Sequence, residues 1–129
     1  MVPVRKPLAL SNWKMALTVA ESLALVREFE TLAGDLLDLV EVVICPPYTS
    51  LWPVAQALRE SRIQLGGQNI AATTDLARTG EISAALLADV DCRWVMLGTG
   101  KSAVTWVMMM RRSTASCTWR WRRVCLPLC

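Results

Sequence analysis

The sequence contains no histidine. It therefore has no imidazole to titrate near neutral pH, and a zinc site could be assembled only from cysteines. Five cysteines are present, an odd number at irregular spacing, and nothing near Met1 suggests secretion. Free thiols and no bound metal are the expectation. Tyr and Phe occur once each, so any core must be built from aliphatic side chains, Met and Trp. Long apolar runs are missing too: Arg, Asp, Glu or Gln interrupts every hydrophobic stretch well before the roughly 18 residues of a membrane-spanning helix. Arg5 and Lys6 lead into a run that is too short for a signal peptide and has no small-residue cleavage site. A cytoplasmic protein with no membrane contact is expected.

Acidic residues are absent from the C-terminal part. Residues 1–100 hold eight Lys/Arg against eleven Asp/Glu, whereas residues 101–129 hold six Lys/Arg and no acid. Cysteines divide likewise, with Cys45 and Cys92 in the body and Cys117, Cys125 and Cys129 in the tail. Two segments built to different requirements are expected, 1–98 and 99–129.

Within the body, Pro7-Leu8-Ala9-Leu10 is a short apolar run bounded by charge and by Asn12, as in a strand buried on both faces of a parallel sheet. Thr18-Val19-Ala20-Glu21 has capping-box spacing, and Val19, Leu23, Val26, Phe29 and Leu32 fall on one helical stripe. Val40–Ile44 is β-branched and is stopped by Pro46-Pro47. Thr49 or Ser50 can cap a second helix from Leu51 to about Arg59, with Pro53 in its first turn. Ile63–Gln68 reads as a third strand, followed by a polar loop from Asn69 to Gly80 of the length usually kept for function. Ser83–Asp89 forms a short helix and Arg93–Leu97 a fourth strand. Alternating strands and helices predict a parallel sheet with right-handed crossovers, for which a Rossmann-like sheet and a barrel serve equally well.

Four blocks narrow the choice: Asn12-Trp13-Lys14-Met15, Cys45-Pro46-Pro47-Tyr48-Thr49-Ser50-Leu51, Gly67-Gln68-Asn69, and Thr79-Gly80-Glu81-Ile82-Ser83 followed by Trp94-Val95-Met96-Leu97-Gly98. In this order and at this spacing they resemble the triosephosphate isomerase family over residues 4–98. The resemblance implies an incomplete (β/α)8 TIM barrel holding about the first four strands and three helices, since a closed barrel takes roughly 250 residues. It implies interconversion of dihydroxyacetone phosphate and glyceraldehyde 3-phosphate through an enediolate, in glycolysis and gluconeogenesis, with no cofactor. Lys14 would be the cation that draws in the phosphate and stabilises charge growing on the substrate oxygen. Asn12 would hydrogen-bond the same region and hold the lysine. In such barrels the working residues lie at C-terminal strand ends, where Asn12, Lys14, Gln68 and Gly98 fall. Gln68-Asn69 reads as structural, tying strand to loop. Thr79-Gly80-Glu81 resembles the loop tip that enters a partner subunit in the family's homodimer, with Arg78 where the family has an aromatic.

The resemblance stops after Gly98. Where the family reads Leu-Gly-His-Ser-Glu-Arg-Arg, this chain reads Leu97-Gly98-Thr99-Gly100-Lys101-Ser102-Ala103. A threonine hydroxyl cannot act as the family's neutral imidazole electrophile. The family's glutamate base and phosphate-binding glycine loops belong to the half of the barrel for which this chain has no counterpart. Reading the Trp and Met codons of Thr105–Met110 in the alternative open frame permits Leu-Gly-Asp-Asp-Asp, and upstream it permits Glu-Arg-Arg-His. A frameshift between Gly98 and Lys101 is the expectation. Gly98-Thr99-Gly100-Lys101-Ser102 also looks like the end of a phosphate-binding loop, but the first glycine that such a loop requires is Val95. Trp119-Arg120-Trp121-Arg122-Arg123 could serve as a module for nucleic acid or an anionic membrane. Neither nucleic acid nor membrane is the expected partner; a small triose phosphate is.

Overall fold

The computed structural model describes residues 6–97, 106–112 and 117–123. In chain order the elements are β1 (Leu8–Asn12), α1 (Val19–Ala33), a 3-10 turn (Gly34–Asp38), β2 (Glu41–Cys45), α2 (Tyr48–Ala57), β3 (Gln64–Gly67), α3 (Ala84–Asp89), β4 (Trp94–Leu97), β5 (Trp106–Arg112) and β6 (Cys117–Arg123). The strands lie side by side in sequence order. β1 through β4 run parallel, with Asn12 level with Cys45, Ile44 with Leu65 and Gly67 with Val95. A doubly wound sheet reverses its strand order at a switch point. This sheet does not, and the four strands and their helices form a curled half-barrel.

Apolar residues on both faces of the strands make two cores. Val42 and Ile44 of β2, Leu65 of β3 and Val95 of β4 meet Val26 of α1, Leu51 and Val54 of α2 and Leu87 of α3. On the concave face Val43, Cys45, Trp94 and Met96 pack with Leu8 and Leu10. The sheet is tightest at Gly66, where an added Cβ would lie 2.6 Å from Cys45 Sγ and 3.1 Å from Val43 Cγ1. Only a residue without a side chain lets β2 and β4 close around β3 there.

α1 begins as its sequence predicts. Thr18 caps it with extended backbone and Glu21 returns the capping-box bond. Hydrogen bonds from the Thr18 backbone and side chain hold the Glu21 carboxyl below its usual range. A depressed folded pKa means that this contribution is present above the unfolded value and is lost as pH falls through the folded one.

The buried face of α1 differs from the expected stripe. Ser22, Val26 and Ala33 are buried, while Val19 and Phe29 are partly exposed and Leu32 is 75 % exposed. Leu25 and Phe29 instead line an open apolar groove of about 310 Å³ with Ala9, Leu10, Trp13 and Ile63, alongside β1. A helix in a barrel turns one face to the strands and its flanks to neighbouring helices, so a single stripe does not describe what it buries.

α2 also departs from expectation. It starts at Tyr48, not Leu51, with Pro47 in extended geometry at the cap position and no side-chain cap bond. Neither Thr49 nor Ser50 caps it. Ser50 is fully buried and accepts a 3.1 Å hydrogen bond from the hydroxyl of Ser22 on α1.

Four parallel strands of an unclosed barrel would leave two outer edges open. β1 is the first strand of the sheet, with no partner on its outer side among the described residues, but β4 is paired. β5 runs antiparallel to it, with Trp94 level with Met109 and Leu97 with Trp106, and β6 completes a hairpin. The Trp106–Met110 run has the apolar, β-forming composition that can extend a ladder. The Trp119–Arg123 string lies in β6.

Candidate functional site

The C-terminal ends of β1 and β2 are level, and the chain leaves β1 through one further ladder bond, from Trp13 N–H to Cys45 O at 3.1 Å. Trp13 packs against the helix-side core. Lys14 then turns into the left-handed region, with φ 53°. Such a conformation costs a non-glycine residue of order 1–3 kcal/mol and persists only when surrounding bonds determine it.

Those bonds are present. The Lys14 N–H donates to Asn12 Oδ1 at 2.9 Å. The Gln68 amide donates from Nε2 to Lys14 O at 2.7 Å and to Cys45 O at 3.0 Å. Ala16 N–H donates to Trp13 O at 3.1 Å, which closes the turn. Backbone strain at Lys14 is thus answered on both sides of the residue, by a neighbour on β1 and by a side chain just past β3. The Lys14 side chain is exposed. Among the described residues no carboxylate pairs with it: the ion pairs join Arg62 to Asp38 and Arg78 to Asp75.

Beneath this turn the sheet is buried, with Cys45 at 0 % exposure. Burial pushes the Cys45 thiol up to about 12. The Cys92 thiol is likewise pushed up to about 12, first by burial and then by Cys45 and Asp91. A thiolate is the reactive form, so neither group is a nucleophile at ordinary pH. Treatment of the folded chain with iodoacetamide at pH 8, followed by peptide mass mapping, is expected to leave Cys45 and Cys92 unmodified. Both should alkylate in urea; modification of either at the rate of a free thiol without denaturant would contradict the burial.

The loop after β3 is tied at its base. Ala71 N–H donates to Ile82 O at 2.9 Å. The Tyr48 hydroxyl lies 2.8 Å from Asn69 O and within reach of Asn69 Oδ1. Burial pushes this phenol up to about 12. At the loop tip Gly80 takes φ 80°, Thr79 and Glu81 are exposed, and Arg78 lies 3.4 Å from Asp75.

A family model described as triosephosphate isomerase matches residues 7–100. The chain belongs to the triosephosphate isomerase family. It is 43 % identical over 95 residues to the triosephosphate isomerase of Carboxydothermus hydrogenoformans, covering 74 % of this chain and 38 % of that one. It is 42 % identical over the same length to the enzyme of Chloroflexus aurantiacus. The crystal structure of triosephosphate isomerase from Bartonella henselae superposes with a TM-score of 0.65 at 34 % identity, covering 75 % of this chain and 39 % of that one. The chain thus spans about two fifths of the length of the curated relatives it matches.

Of the residues singled out from the sequence, Asn12, Lys14 and Gln68 meet at one strand end through direct hydrogen bonds. Gly98 and the Thr99–Ser102 segment lie outside the described residues. Gln68, read from sequence as a tie between strand and loop, also grips the Lys14 turn. No local pattern signals this contact, because the two residues are 54 positions apart.

Proposed function

We propose that the Asn12–Lys14 turn is the anion-binding corner of a triosephosphate isomerase site, and that its ligand is the phosphate of dihydroxyacetone phosphate or glyceraldehyde 3-phosphate. The single observation that carries this reading is the strained but doubly bonded backbone of Lys14, a cation with no ion-pair partner among the described residues, at the C-terminal end of a barrel strand. Strain of this kind marks positions where geometry serves a ligand. A fixed ammonium there lowers the energy of negative charge on a bound phosphate and on the oxygen of an enediolate. Asn12 orients it by occupying the Lys14 N–H.

The remaining parts of the proposal follow from the family. Residues 1–98 are the barrel portion and 99–129 a tail foreign to it. Isomerisation needs a proton base and an electrophile beyond Lys14, and this chain supplies neither. The 129-residue chain is therefore a phosphate-binding half-site without turnover. The loop carrying Thr79, Gly80 and Glu81 is the surface for a second subunit. A cytoplasmic site of action is part of the same family reading.

Phosphate binding tests the reading. Titrating glycerol 3-phosphate into the 15N-labelled chain should shift the backbone amides of residues 12–16. In Lys14→Met those shifts should be lost, a fall in affinity of roughly tenfold or more, the scale on which removal of one preorganised charge is felt. Equal shifts in the two chains would remove Lys14 from the site.

A further inference from the structure

We propose that Gln68 is a positioning residue for Lys14, acting from beyond the third strand to keep the lysine in its left-handed conformation. The inference rests on the reading of Lys14 as the anion-binding cation and assigns the group that sets its geometry.

The side-chain amide of Gln68 has two N–H donors, and two carbonyl oxygens lie within their reach, Lys14 O at 2.7 Å and Cys45 O at 3.0 Å. Cys45 O is also the acceptor for Trp13 N–H. The three strand ends therefore close into one hydrogen-bonded ring: Trp13 to Cys45, Cys45 to Gln68, and Gln68 to Lys14. On its other side the Lys14 N–H is held by Asn12, two residues away. That local bond closes a short turn, and a side-chain-to-backbone turn of this type is compatible with more than one φ at the residue that follows. The Gln68 bond is different in kind. It fixes the Lys14 carbonyl relative to β2 and β3, so rotation of Lys14 out of the left-handed region would pull its oxygen off a donor that cannot follow.

Gln68 has no comparable task in the cores. It is partly exposed and belongs to neither apolar cluster. The packing at this end of β3 is done by Gly67, where an added Cβ would lie 2.9 Å from Leu87 Cδ2. Replacing Gln68 by an apolar side chain of similar length removes both donors and leaves that contact in place. The Lys14 carbonyl can then turn to water, which releases the strain at Lys14 and moves its side chain.

The experiment compares the full chain with Gln68→Met and Lys14→Met, using inorganic phosphate as the probe. Three quantities are read: the phosphate dissociation constant from amide shifts, the Lys14 HN–Hα coupling that reports φ, and the thermal midpoint. In Gln68→Met the coupling should leave its wild-type value and phosphate affinity should fall by at least about tenfold, because misplacing a charged group by an ångström costs a factor of this order or more. A purely structural glutamine would lower the midpoint and leave the Lys14 coupling unchanged, and that result would overturn the proposal. Wild-type chain that binds no phosphate, or Lys14→Met that binds it equally well, would overturn the anion reading; the coupling would still decide the role of Gln68. Should Gln68→Met fail to fold, the wild-type chain gives the answer by itself. Both side-chain amide protons of Gln68 should exchange with solvent more slowly than those of Gln56, and exchange at the rate of a free amide would overturn the clamp.

Discussion

Purified 129-residue chain is expected to show no isomerase turnover above the uncatalysed rate in a coupled assay with either triose phosphate. Moving a proton between adjacent carbons requires a base to take it and a donor to polarise the carbonyl. Each positioned acid–base group contributes roughly 10²–10⁴ in rate. The chain contains no histidine, and Thr99 follows Leu97-Gly98 where the family has one. A hydroxyl donates a hydrogen bond but has no proton-transfer ability near neutral pH. With the imidazole missing, kcat/KM should lie at least about 10²-fold below that of a full-length relative assayed alongside. Lys14 and Asn12 can stabilise charge only after it forms, and such preorganised donors act on a reaction that other groups must drive. Turnover that disappears in Lys14→Met would show that this half-site carries its own proton chemistry. Turnover unaffected by that change would point to a contaminating enzyme.

The second large effect is on stability. Trp94 is 1 % exposed and is the largest fully buried side chain among the described residues. It packs on the concave face with Val43, Cys45 and Met96, and its indole N–H donates to Gln64 Oε1 at 2.7 Å. Trp94→Ala is expected to cost about 3–5 kcal/mol, the range for truncating a buried aromatic to a methyl group. Single domains are stable by only about 5–15 kcal/mol, and a half-barrel with an open β1 edge sits at the low end of that scale. Urea unfolding followed by far-UV circular dichroism should show a much lower midpoint or no cooperative transition. Trp94→Phe keeps most of the apolar volume and loses the donor, so its cost should be nearer the 1–3 kcal/mol of an unsatisfied partly buried acceptor. The opposite ranking would mean that the indole hydrogen bond, and not its bulk, secures the concave face.

Much of this architecture was legible because it depends on short-range rules. The β-branched run before Pro46 gives β2, the Thr18-to-Glu21 spacing gives the start of α1, and the four motif blocks select a barrel over a doubly wound sheet. What was not legible depends on partners distant in sequence. Ser50 looked like a helix cap, but its hydroxyl is taken by Ser22 from another helix. Phe29 and Leu32 looked like core, but they are 38 % and 75 % exposed. The antiparallel hairpin beside β4 was not legible, because no family pattern extends past Gly98. Asn12 and Lys14 were singled out by their motif. The hold of Gln68 on Lys14 was hidden, since a glutamine at a strand end carries no sign of which carbonyl it will reach.

Ser22 and Ser50 make the helix layer specific as well as cohesive. Apolar packing alone tolerates sliding of one helix along another, whereas two enclosed hydroxyls have each other as a partner at one axial offset only. α1 follows the Lys14 turn and α2 follows the Pro46-Pro47 corner, so this offset fixes how far apart the two turns can drift. The two serines are thus energetically coupled, for removing either hydroxyl leaves the other buried without that partner.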